Sequence, residues 1–462
     1  MSRATARAAS QVAAQSFVRH GIWPRLKPIL AAVLPDPVAR LLHRTRRGMA
    51  ARRMTRQWDA LRLSLDRQPT GVPPRSILIM PGDPQCIAGS VGDEAMIAVV
   101  IDRYRATCPD LKVAVLCSKG APEAVVRARG LRPVILPGGW NFADRMAEIL
   151  ALNDFDALVV VGADVMDGYY SPDYSTQMII AADLAARSGL QTTVLGFSFN
   201  ARPTKALAHR LARLHRGVAL NVRDQTSLDR IRRFAPVSAR LVADSAFLLS
   251  PGTIDTATAR WIAGERQAGR RVIGVNLHPM LVRGAAPGQL DHLVARMTRA
   301  IAAADATTPL SWMLIPHDYR DTTGDGDMLC LTPLMDRLAA LPGLRVRLFE
   351  GTHPAATLKA LAGQMDGIVS GRMHLAIAAL GMGVPVLCLT YQDKFEGLFR
   401  HFDLPARYLL SPADLADGPL LTDTLCHFLQ ALPALTARVR HHTPGVMTLA
   451  LQNFDPAATV AA

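Results

Sequence analysis

The chain has 462 residues, 50% hydrophobic and 19% charged, a balance that is typical of globular proteins and long enough for two ordinary domains. This composition excludes a disordered chain, and since no stretch reaches about 18 consecutive apolar residues, an integral membrane protein is not expected. The net charge of +14 is concentrated in residues 1–70, which hold 14 Lys and Arg against three acidic residues. A nucleic-acid-binding enzyme would spread positive charge over its folded cleft, so no nucleic-acid partner is expected.

Residues 1–70 are predicted to form a basic, helical N-terminal arm, because arginines are interspersed with apolar clusters such as "ILAAVL" and "ARLLHRTRRGMAARRM". Two interpretations stay open: the arm lies on an anionic membrane surface, or it is a solvated basic helix that caps the first domain. Since all of the predicted sheet strands lie downstream, a chain that starts near residue 70 is expected to keep both of its cores.

The six cysteines are scattered without a C-x-x-C pair, and Cys117 and Cys388 lie inside apolar runs. This pattern indicates reduced thiols rather than a disulfide framework or a zinc ribbon. The expected location is therefore the cytoplasm, peripheral on the inner face of the cell membrane if the arm binds the bilayer.

Regular alternation begins after residue 70. Seven apolar, β-branched runs are separated mostly by Ala- and Arg-rich segments of helical length: "RSILIMPG", "LKVAVLCS", "RPVILPG", "ALVVVGAD", "QTTVLGFS", "ALNVRD" and "RLVADSAFLL". Continuous apolar strands that are linked by helices are the signature of a parallel sheet covered on both faces. Residues 71–255 are thus predicted to form a first Rossmann-like domain.

The series pauses at "SPGTIDTATARWIAGERQAGR" and resumes with five runs: "RRVIGVNLHP", "LSWMLIPHD", "LRVRLFEG", "DGIVSGR" and "VPVLCLTY". A hinge is therefore placed at residues 250–268, and residues 268–445 are predicted to form a second Rossmann-like domain. The predicted architecture is α/β, with two Rossmann-like domains facing a cleft. In such sheets ligands bind beyond the carboxyl ends of the strands, so the polar residues at these ends are the first candidates for a site.

The step "SGRMH" places Arg372 and His374 at the start of a small-residue helix that follows a strand. A helix N-terminus already carries partial positive charge, so two basic side chains beside it are unfavourable unless an anion joins them. Arg can hold a carboxylate or phosphate with two parallel hydrogen bonds, and His can pass a proton near neutral pH. The alternative is that Arg372 pairs with a structural carboxylate and His374 merely caps the helix.

Three other candidates lie at strand ends of the first half. Gly92 and Asp93 open the helix "EAMIAVVIDRYRA", where acidic residues also act as simple helix caps. Arg223 ends a strand and is either a second anion ligand or an ion-pair partner of Asp224.

His278 and His317 each follow a strand of the second half, and each is either a ligand contact or a hydrogen-bonded structural residue. The sequence contains no H-x-x-x-H pair and no Walker loop, and the acidic segment "DTTGDGD" is interpreted as a turn-rich loop. No metal is therefore expected.

Taken in order, these motifs resemble the polysaccharide pyruvyl transferase family over about residues 77–402. The most specific part is "VSGRMHLAIAALGMGVPVLCLTYQDKFEGLFRHFDL", which is similar to the family's Ser-x-Arg-x-His segment, Ala-rich helix, Gly-Val-Pro strand and Tyr-x-x-Lys. Four further elements follow in the order expected for the family: the GDE turn at 92–94, the Arg-Asp-x-x-Ser element at 223–227, the Asp-x-Ala-Phe element at 244–247 and "VIGVNLHP". The resemblance implies a GT-B-like pair of domains and transfer of the enolpyruvyl group of phosphoenolpyruvate onto a sugar, usually as a cyclic ketal.

The resemblance also implies roles for the candidate residues. Phosphoenolpyruvate, the donor substrate, is expected on the side of the second domain, held by Arg372, Met373 and His374 together with Arg223. His374 is expected to supply or relay a proton. Independently of the resemblance, we take Asp93, beside Gly92 on the acceptor side, as the candidate that activates a hydroxyl of the saccharide acceptor. Whether this acceptor is lipid-linked stays open, and no cofactor is expected.

One segment departs from the family pattern, since "VVGADVMDGYY" has Ala163 and Asp164 where many members have a Gly-rich run. The added negative charge leaves the acceptor, and activity itself, open. A GT-B nucleotide-sugar glycosyltransferase is one alternative, but its second domain would carry acidic ribose ligands where "SGRMH" supplies a cation. A non-catalytic, membrane-associated polysaccharide-assembly protein is the other alternative, favoured by the departure and by the basic arm.

Overall fold

The computed structural model describes residues 36–455, except 69–70, 86–89, 138, 153–154, 283–287, 321–325 and 392. The first half of the predicted arm, residues 1–35, lies outside the described residues. In the part of the chain that the structure describes, no helix is long and apolar enough to cross a membrane.

Seven parallel strands form the first sheet, in the order β3-β2-β1-β4-β5-β6-β7. They are β1 (Ser76–Met80), β2 (Lys112–Cys117), β3 (Arg132–Ile135), β4 (Ala157–Val160), β5 (Gln191–Phe197), β6 (Val218–Val222) and β7 (Arg240–Leu241). Ile77 of the central strand β1 pairs with Val113 on one side and Ala157 on the other. The strand order reverses between β1 and β4, and the crevice at such a reversal is where α/β sheets bind ligands.

Six parallel strands form the second sheet, in the order β10-β9-β8-β11-β12-β13. They are β8 (Arg271–Asn276), β9 (Leu310–Leu314), β10 (Arg345–Leu348), β11 (Gly367–Ser370), β12 (Val386–Leu389) and β13 (Leu409–Leu410). This order repeats the Rossmann arrangement, and the reversal here lies between β8 and β11.

Helices cover the faces of both sheets. They are α1 (Asp36–Ser64), α2 (Val91–Arg105), α3 (Ala121–Ala128), α4 (Phe142–Leu152), α5 (Pro172–Arg187), α6 (Ala206–Leu211), α7 (Gln225–Phe234), α8 (Thr256–Gln267), α9 (Gln289–Asp305), α10 (Met328–Ala339), α11 (Ala355–Ala362), α12 (Met373–Gly381), α13 (Phe395–His401), α14 (Pro412–Ala416) and α15 (Gly418–Leu451). Because both faces are covered, strands such as β4 and β9 are buried along their whole length, as continuous apolar runs predict.

The predicted α/β architecture is confirmed, and each of the twelve apolar runs contains a strand. The last run of the first half, "RLVADSAFLL", is mostly not a strand, however. The Asp244 carboxylate accepts a hydrogen bond from the backbone N–H of Ala246, and this cap starts a short 3-10 helix, Ser245–Leu248. The strand β13 was not predicted, because a pair of leucines carries no periodicity.

Helix α1 packs its C-terminal half into the core of the first domain. Met54 and Trp58 are 2% and 0% exposed, and the Trp58 indole N–H donates to a carboxylate oxygen of Asp183 at 2.7 Å. Arg52 and Arg56 stay exposed on the opposite side of the helix. The expectation that both cores lie downstream of residue 70 is therefore wrong, because this helix completes the first core as a cap.

The long helix α15 ends at the first sheet, although it follows the second. Just beyond it, the Asn453 side chain accepts from the backbone N–H of Gly196 at 2.7 Å and donates to the carbonyl oxygen of Ala243 at 2.8 Å. These buried hydrogen bonds fasten the C-terminal segment to the first domain. The predicted domain limits, 71–255 and 268–445, place this last segment in neither domain.

Hydrogen bonds also join the two domains beside their facing edges. The Glu94 carboxylate of α2 accepts from the backbone N–H of Ala355 at the start of α11, at 3.2 Å. Arg230 of α7 donates to the carbonyl oxygen of Asp393 at 2.8 Å. The carboxyl ends of both sheets are thereby held toward one another across a cleft.

Candidate active site

The cleft between the two domains has a volume of about 680 Å³. Its walls come from the segments that follow β1, β2, β3, β4 and β6 in the first sheet, and from the segments after β8, β9, β11 and β12 in the second. Seven of the eight predicted site residues line it: Gly92, Asp93, Arg223, His317, Arg372, Met373 and His374. The eighth, His278, is buried behind the wall.

His374 is held against Gly92 of the opposite domain. It lies in the first turn of α12, and a Cβ atom added to Gly92 would meet its Nδ1 atom at 2.3 Å. Only glycine leaves room for the ring at this approach. The structure therefore brings the GDE turn and the SxRxH segment, which are about 280 residues apart in sequence, into direct contact.

The electrostatic surroundings of His374 favour a neutral imidazole. Burial lowers its pKa, the Asp244 carboxylate opposes that shift, and the Arg223 guanidinium adds to it. The Nε2 atom lies 3.8 Å from a carboxylate oxygen of Asp244 and has no hydrogen-bond partner among the described residues. This nitrogen is therefore a buried polar atom that faces Asp244 without a hydrogen bond.

Arg372 stands at the N-cap position of α12 and is bonded to two carboxylates. Its Nε donates to an Asp327 oxygen at 2.8 Å, and its Nη1 lies 3.1 Å from an oxygen of Asp318. Burial alone would lower the pKa of a guanidinium, but these carboxylates outweigh burial and raise it. Arg372 thus pairs with structural carboxylates, as the alternative interpretation of the SGRMH step predicts. Nevertheless, 12% of its side chain is exposed to the cleft.

Arg223, at the end of β6, is fixed by three side chains. Its Nη1 donates to an Asp244 oxygen at 2.9 Å, and its Nη2 donates to the Ser198 hydroxyl at 2.9 Å. The same Nη2 lies 2.7 Å from the sulfur of Met373, which belongs to the second domain. The alternative in which Arg223 pairs with Asp224 is wrong: Arg223 pairs with Asp244, and Asp224 caps α7 by accepting from the backbone N–H of Ser227.

Asp93 is the titratable carboxylate of the site. It is 7% exposed, and burial raises its pKa to about 7, with the nearby charges of Asp83 and Asp164 adding to the effect. The backbone N–H of Asp83 donates to it at 2.9 Å and partly opposes the shift. A carboxyl group with a pKa near 7 can both accept and donate a proton at neutral pH.

The two other predicted histidines differ in access. His317 is 5% exposed but lines the cleft, and burial, with His374 and Arg372 nearby, lowers its pKa. The ring of His278 is fully buried under Gly371 and stacks edge-on against Tyr391 at 5.0 Å. A direct ligand contact is therefore consistent with the position of His317 and inconsistent with that of His278.

The segment after β4 that departs from the family pattern is joined to the second domain by an ion pair. The Asp164 carboxylate accepts from the Lys394 ammonium at 2.8 Å and from the Tyr170 hydroxyl at 3.1 Å. Burial opposes its ionisation, but the Lys394 charge holds the pKa of Asp164 at about 2. Ala163 has φ +43°, a conformation that glycine adopts more easily, so the backbone keeps the shape of a Gly-rich turn at some strain.

Sequence reasoning missed Asp318, Asp327 and Lys394 as members of the site. Asp318 lay in the strand-end motif "IPHD" but was overlooked beside His317, and Asp327 belongs to the "DTTGDGD" segment that was interpreted as a loop. Lys394 is the last residue of the quoted Tyr-x-x-Lys element, so the signal was present without an assigned role. In the described part of the chain, no group of three His, Cys, Asp or Glu side chains is arranged to hold a metal ion.

Solved structures with a similar fold include two enzymes of nucleotide-sugar metabolism. A putative UDP-N-acetylglucosamine 2-epimerase from Listeria monocytogenes is 12% identical, with a TM-score of 0.53 over 82% of this chain and 95% of that one. The UDP-GlcNAc 2-epimerase from Neisseria meningitidis, bound to UDP-GlcNAc, is 11% identical, with a TM-score of 0.52 over 83% and 99%. At such low identity these similarities support the GT-B-like fold alone.

The sequence itself carries the more specific signal. Among curated proteins, no relative matches this chain. The model of the polysaccharide pyruvyl transferase family, in contrast, matches residues 91–393, a span that contains both sides of the cleft from the GDE turn to the Asp393 loop. With this match over more than half of its length, the chain belongs to the polysaccharide pyruvyl transferase family.

Proposed function

We propose that the protein transfers the enolpyruvyl group of phosphoenolpyruvate onto a saccharide and forms a pyruvate ketal. The observation that carries this proposal is the convergence of Arg223, Arg372 and His374 from two domains on one cleft that also holds Asp93. Two guanidinium groups suit a small donor that carries both a carboxylate and a phosphate, and a carboxyl group with a pKa of about 7 suits proton transfer to or from a hydroxyl.

The donor site would use both arginines and the start of α12. Arg372 and Arg223 are each oriented by a carboxylate that is itself almost fully buried, Asp327 and Asp244. This support fixes the guanidinium planes, so that binding the donor costs little side-chain entropy. The backbone N–H groups at the N-terminus of α12 add positive potential beside them.

The reaction balances with two acceptor hydroxyls. A proton adds to the methylene carbon of the donor, and the oxygen of one hydroxyl attacks the neighbouring carbon while losing its proton. The bond between that carbon and the phosphate oxygen then breaks, and the second hydroxyl adds and loses its proton. One of the two hydroxyl protons ends on the new methyl group and the other on phosphate, which leaves as the hydrogen phosphate ion.

The residue roles follow from the pKa shifts. Burial lowers the pKa of His374, but a phosphate and a carboxylate bound beside its ring in the cleft would stabilise the imidazolium form. The donor thus charges the residue that protonates its methylene carbon. Asp93, which approaches from the acceptor side with a pKa of about 7, takes the proton of the attacking hydroxyl.

A nucleotide-sugar glycosyltransferase with the same fold is less compatible with the cleft. The acidic residue of the second domain that lines it, Asp318, is bonded to Arg320 and lies 3.1 Å from Arg372. This carboxylate is therefore engaged and not placed to bind a ribose. A non-catalytic role is disfavoured by the position of Asp93, since a carboxyl group with a pKa of about 7 lines the same cleft as Arg223 and Arg372.

Thermal denaturation with and without ligands tests the proposal. Phosphoenolpyruvate should raise the melting temperature, whereas UDP-glucose and UDP-N-acetylglucosamine should not. Arg372→Lys should abolish the shift, since lysine keeps a charge beside Asp327 but loses the guanidinium fork, while Arg337→Ala, on the exposed surface of α10, serves as the control. Stabilisation by a nucleotide sugar and not by phosphoenolpyruvate would reject the proposal in favour of the glycosyltransferase.

The acceptor and its location form the finer part of the proposal. Phosphate release should depend on an added saccharide, and lipid-linked oligosaccharides and soluble glycosides should be compared as acceptors. The exposed arginines Arg52, Arg53 and Arg56 of α1 can attract an anionic bilayer, where each basic residue contributes about 1 kcal/mol. Salt-sensitive binding to anionic vesicles would support a peripheral location on the inner face of the cell membrane.

A further inference from the structure

The two sides of the cleft differ in charge. The guanidinium groups of Arg223, Arg320 and Arg372 lie together toward the second domain. The wall formed by the ends of β2 and β3 and the start of α5 is built instead from uncharged side chains: Ser118, Leu136, Pro137, Tyr170, Tyr174 and Gln177. This second group of residues is called the neutral wall below.

Two polar side chains of the neutral wall are not hydrogen-bonded to any residue that the structure describes. Among the described residues, neither the Ser118 hydroxyl nor the Gln177 amide makes a hydrogen bond, although both face the cleft. An amide offers two donors and one acceptor oxygen, and a hydroxyl offers one donor and two lone pairs. These groups match the alternating donors and acceptors of saccharide hydroxyls.

Tyr170 gives the neutral wall an aromatic surface. Its hydroxyl is bonded to Asp164, its ring is covered by the Lys394 ammonium at 4.9 Å, and 38% of the residue stays exposed. A fixed ring with an exposed portion can pack against the C–H face of a pyranose. The ring cannot turn away without breaking the hydrogen bond to Asp164.

The cations nearest the neutral wall are already paired with carboxylates. Asp83 lies 3.7 Å from Arg320, Asp164 is paired with Lys394, and Asp93 becomes negative above a pH of about 7. A saccharide that carries its own carboxylate would lose its solvation shell here and find only cations that Asp83 and Asp164 already engage, with the charge of Asp93 nearby. An uncharged saccharide meets no such penalty.

We infer that the neutral wall is the acceptor subsite and that it selects an uncharged pyranoside over a uronic acid, with Gln177 and Ser118 as its hydrogen-bonding side chains. This inference rests on the proposed function, because it assigns the second substrate of that reaction. With the saccharide in this subsite, the attacking hydroxyl would lie between the neutral wall and Arg223 and Arg372 of the proposed donor site, in the cleft that Asp93 also lines.

Binding of simple glycosides to the full-length protein tests the inference. Methyl glucopyranoside, galactopyranoside and mannopyranoside, together with the methyl glycoside of glucuronic acid, are titrated at millimolar concentration and followed by saturation-transfer NMR. At least one neutral glycoside should bind at least tenfold more tightly than the uronide. Gln177→Ala and Ser118→Ala should each weaken that glycoside about tenfold, as expected for a lost hydrogen bond, while Gln267→Ala, on the exposed end of α8, should not.

The outcomes separate this inference from the proposed function. Phosphoenolpyruvate binding, measured by calorimetry on the same variants, should be unchanged, because neither side chain is hydrogen-bonded to Arg223 or Arg372. Equal or tighter binding of the uronide, no binding of the neutral glycosides, or wild-type affinity in Gln177→Ala would overturn the acceptor subsite. Failure of phosphoenolpyruvate to bind the wild-type protein would overturn the proposed donor, and Gln177-dependent glycoside binding would still be observable.

Discussion

The contact between Gly92 and His374 allows a sharp test of how the two domains build the site. An alanine at position 92 would bring its Cβ atom to 2.3 Å from the Nδ1 of His374, whereas ordinary contacts lie at 3.4–4 Å. The ring, or the whole second domain, must therefore retreat by about 1 Å. A displacement of that size at a catalytic group costs about 10²-fold in rate, so Gly92→Ala should lower kcat by about that factor.

The effect on stability is expected to have the opposite sign from that of an ordinary helix substitution. Replacing glycine by alanine inside a helix normally stabilises it by about 0.5–1 kcal/mol. Overpacking at a buried contact costs about 1–3 kcal/mol, which exceeds that gain. Gly92→Ala should therefore lower the free energy of unfolding of the first domain by about 1 kcal/mol.

Gly264→Ala is the matched control. Gly264 lies inside α8, and a Cβ atom added there would meet no atom within 4 Å. This variant should be slightly more stable than the wild type and equally active. Denaturant unfolding gives the stabilities, and release of phosphate from phosphoenolpyruvate with an added acceptor gives kcat. If Gly92→Ala is stabilised like Gly264→Ala and keeps wild-type kcat, then His374 is not fixed by this contact and the proposed geometry is refuted.

Three further predictions concern pH, the link between the domains and the N-terminal helix. Because Asp93 must be ionised to accept a proton, kcat/KM should rise as the pH rises through about 7. Asp93→Asn should lower kcat/KM 10²- to 10⁴-fold and remove this rise from the pH profile. An unchanged pH profile in this variant would exclude the assigned role. The Lys394–Asp164 pair should show a coupling free energy of about 0.5–3 kcal/mol in a double-mutant cycle at pH 7. Burial opposes ionisation of Asp164, but Lys394 holds its pKa at about 2. The stabilisation by this pair should therefore be lost only as the pH falls below about 4 toward 2. Trp58→Ala should lower the free energy of unfolding by about 3–5 kcal/mol, whereas Leu63→Ala, at an exposed position of the same helix, should change it little. Equal effects of the two substitutions would mean that α1 does not belong to the core.

The sequence by itself determined the layout of the protein. Apolar runs such as "ALVVVGAD" and "LSWMLIPHD" carry their burial in their own composition, because a strand covered on both faces needs apolar residues at every position. The same rhythm places the polar residues at the carboxyl ends of strands. Arg223 and the SGRMH step could thus be found without coordinates, as could the family resemblance that the ordered motifs carry.

Only the tertiary structure decided which side chains form ion pairs and which of them line the cleft. Arg372 takes its carboxylate from Asp327, 45 residues away, and Lys394 is paired with Asp164, 230 residues away. His278 follows a strand just as His317 does, yet only His317 lines the cleft. Such differences depend on how whole elements pack, and neither composition nor periodicity records that. For the same reason the arm appeared independent in the sequence, whereas Trp58 lies inside the first core, because one tryptophan in a basic helix has no local pattern that reveals its partner.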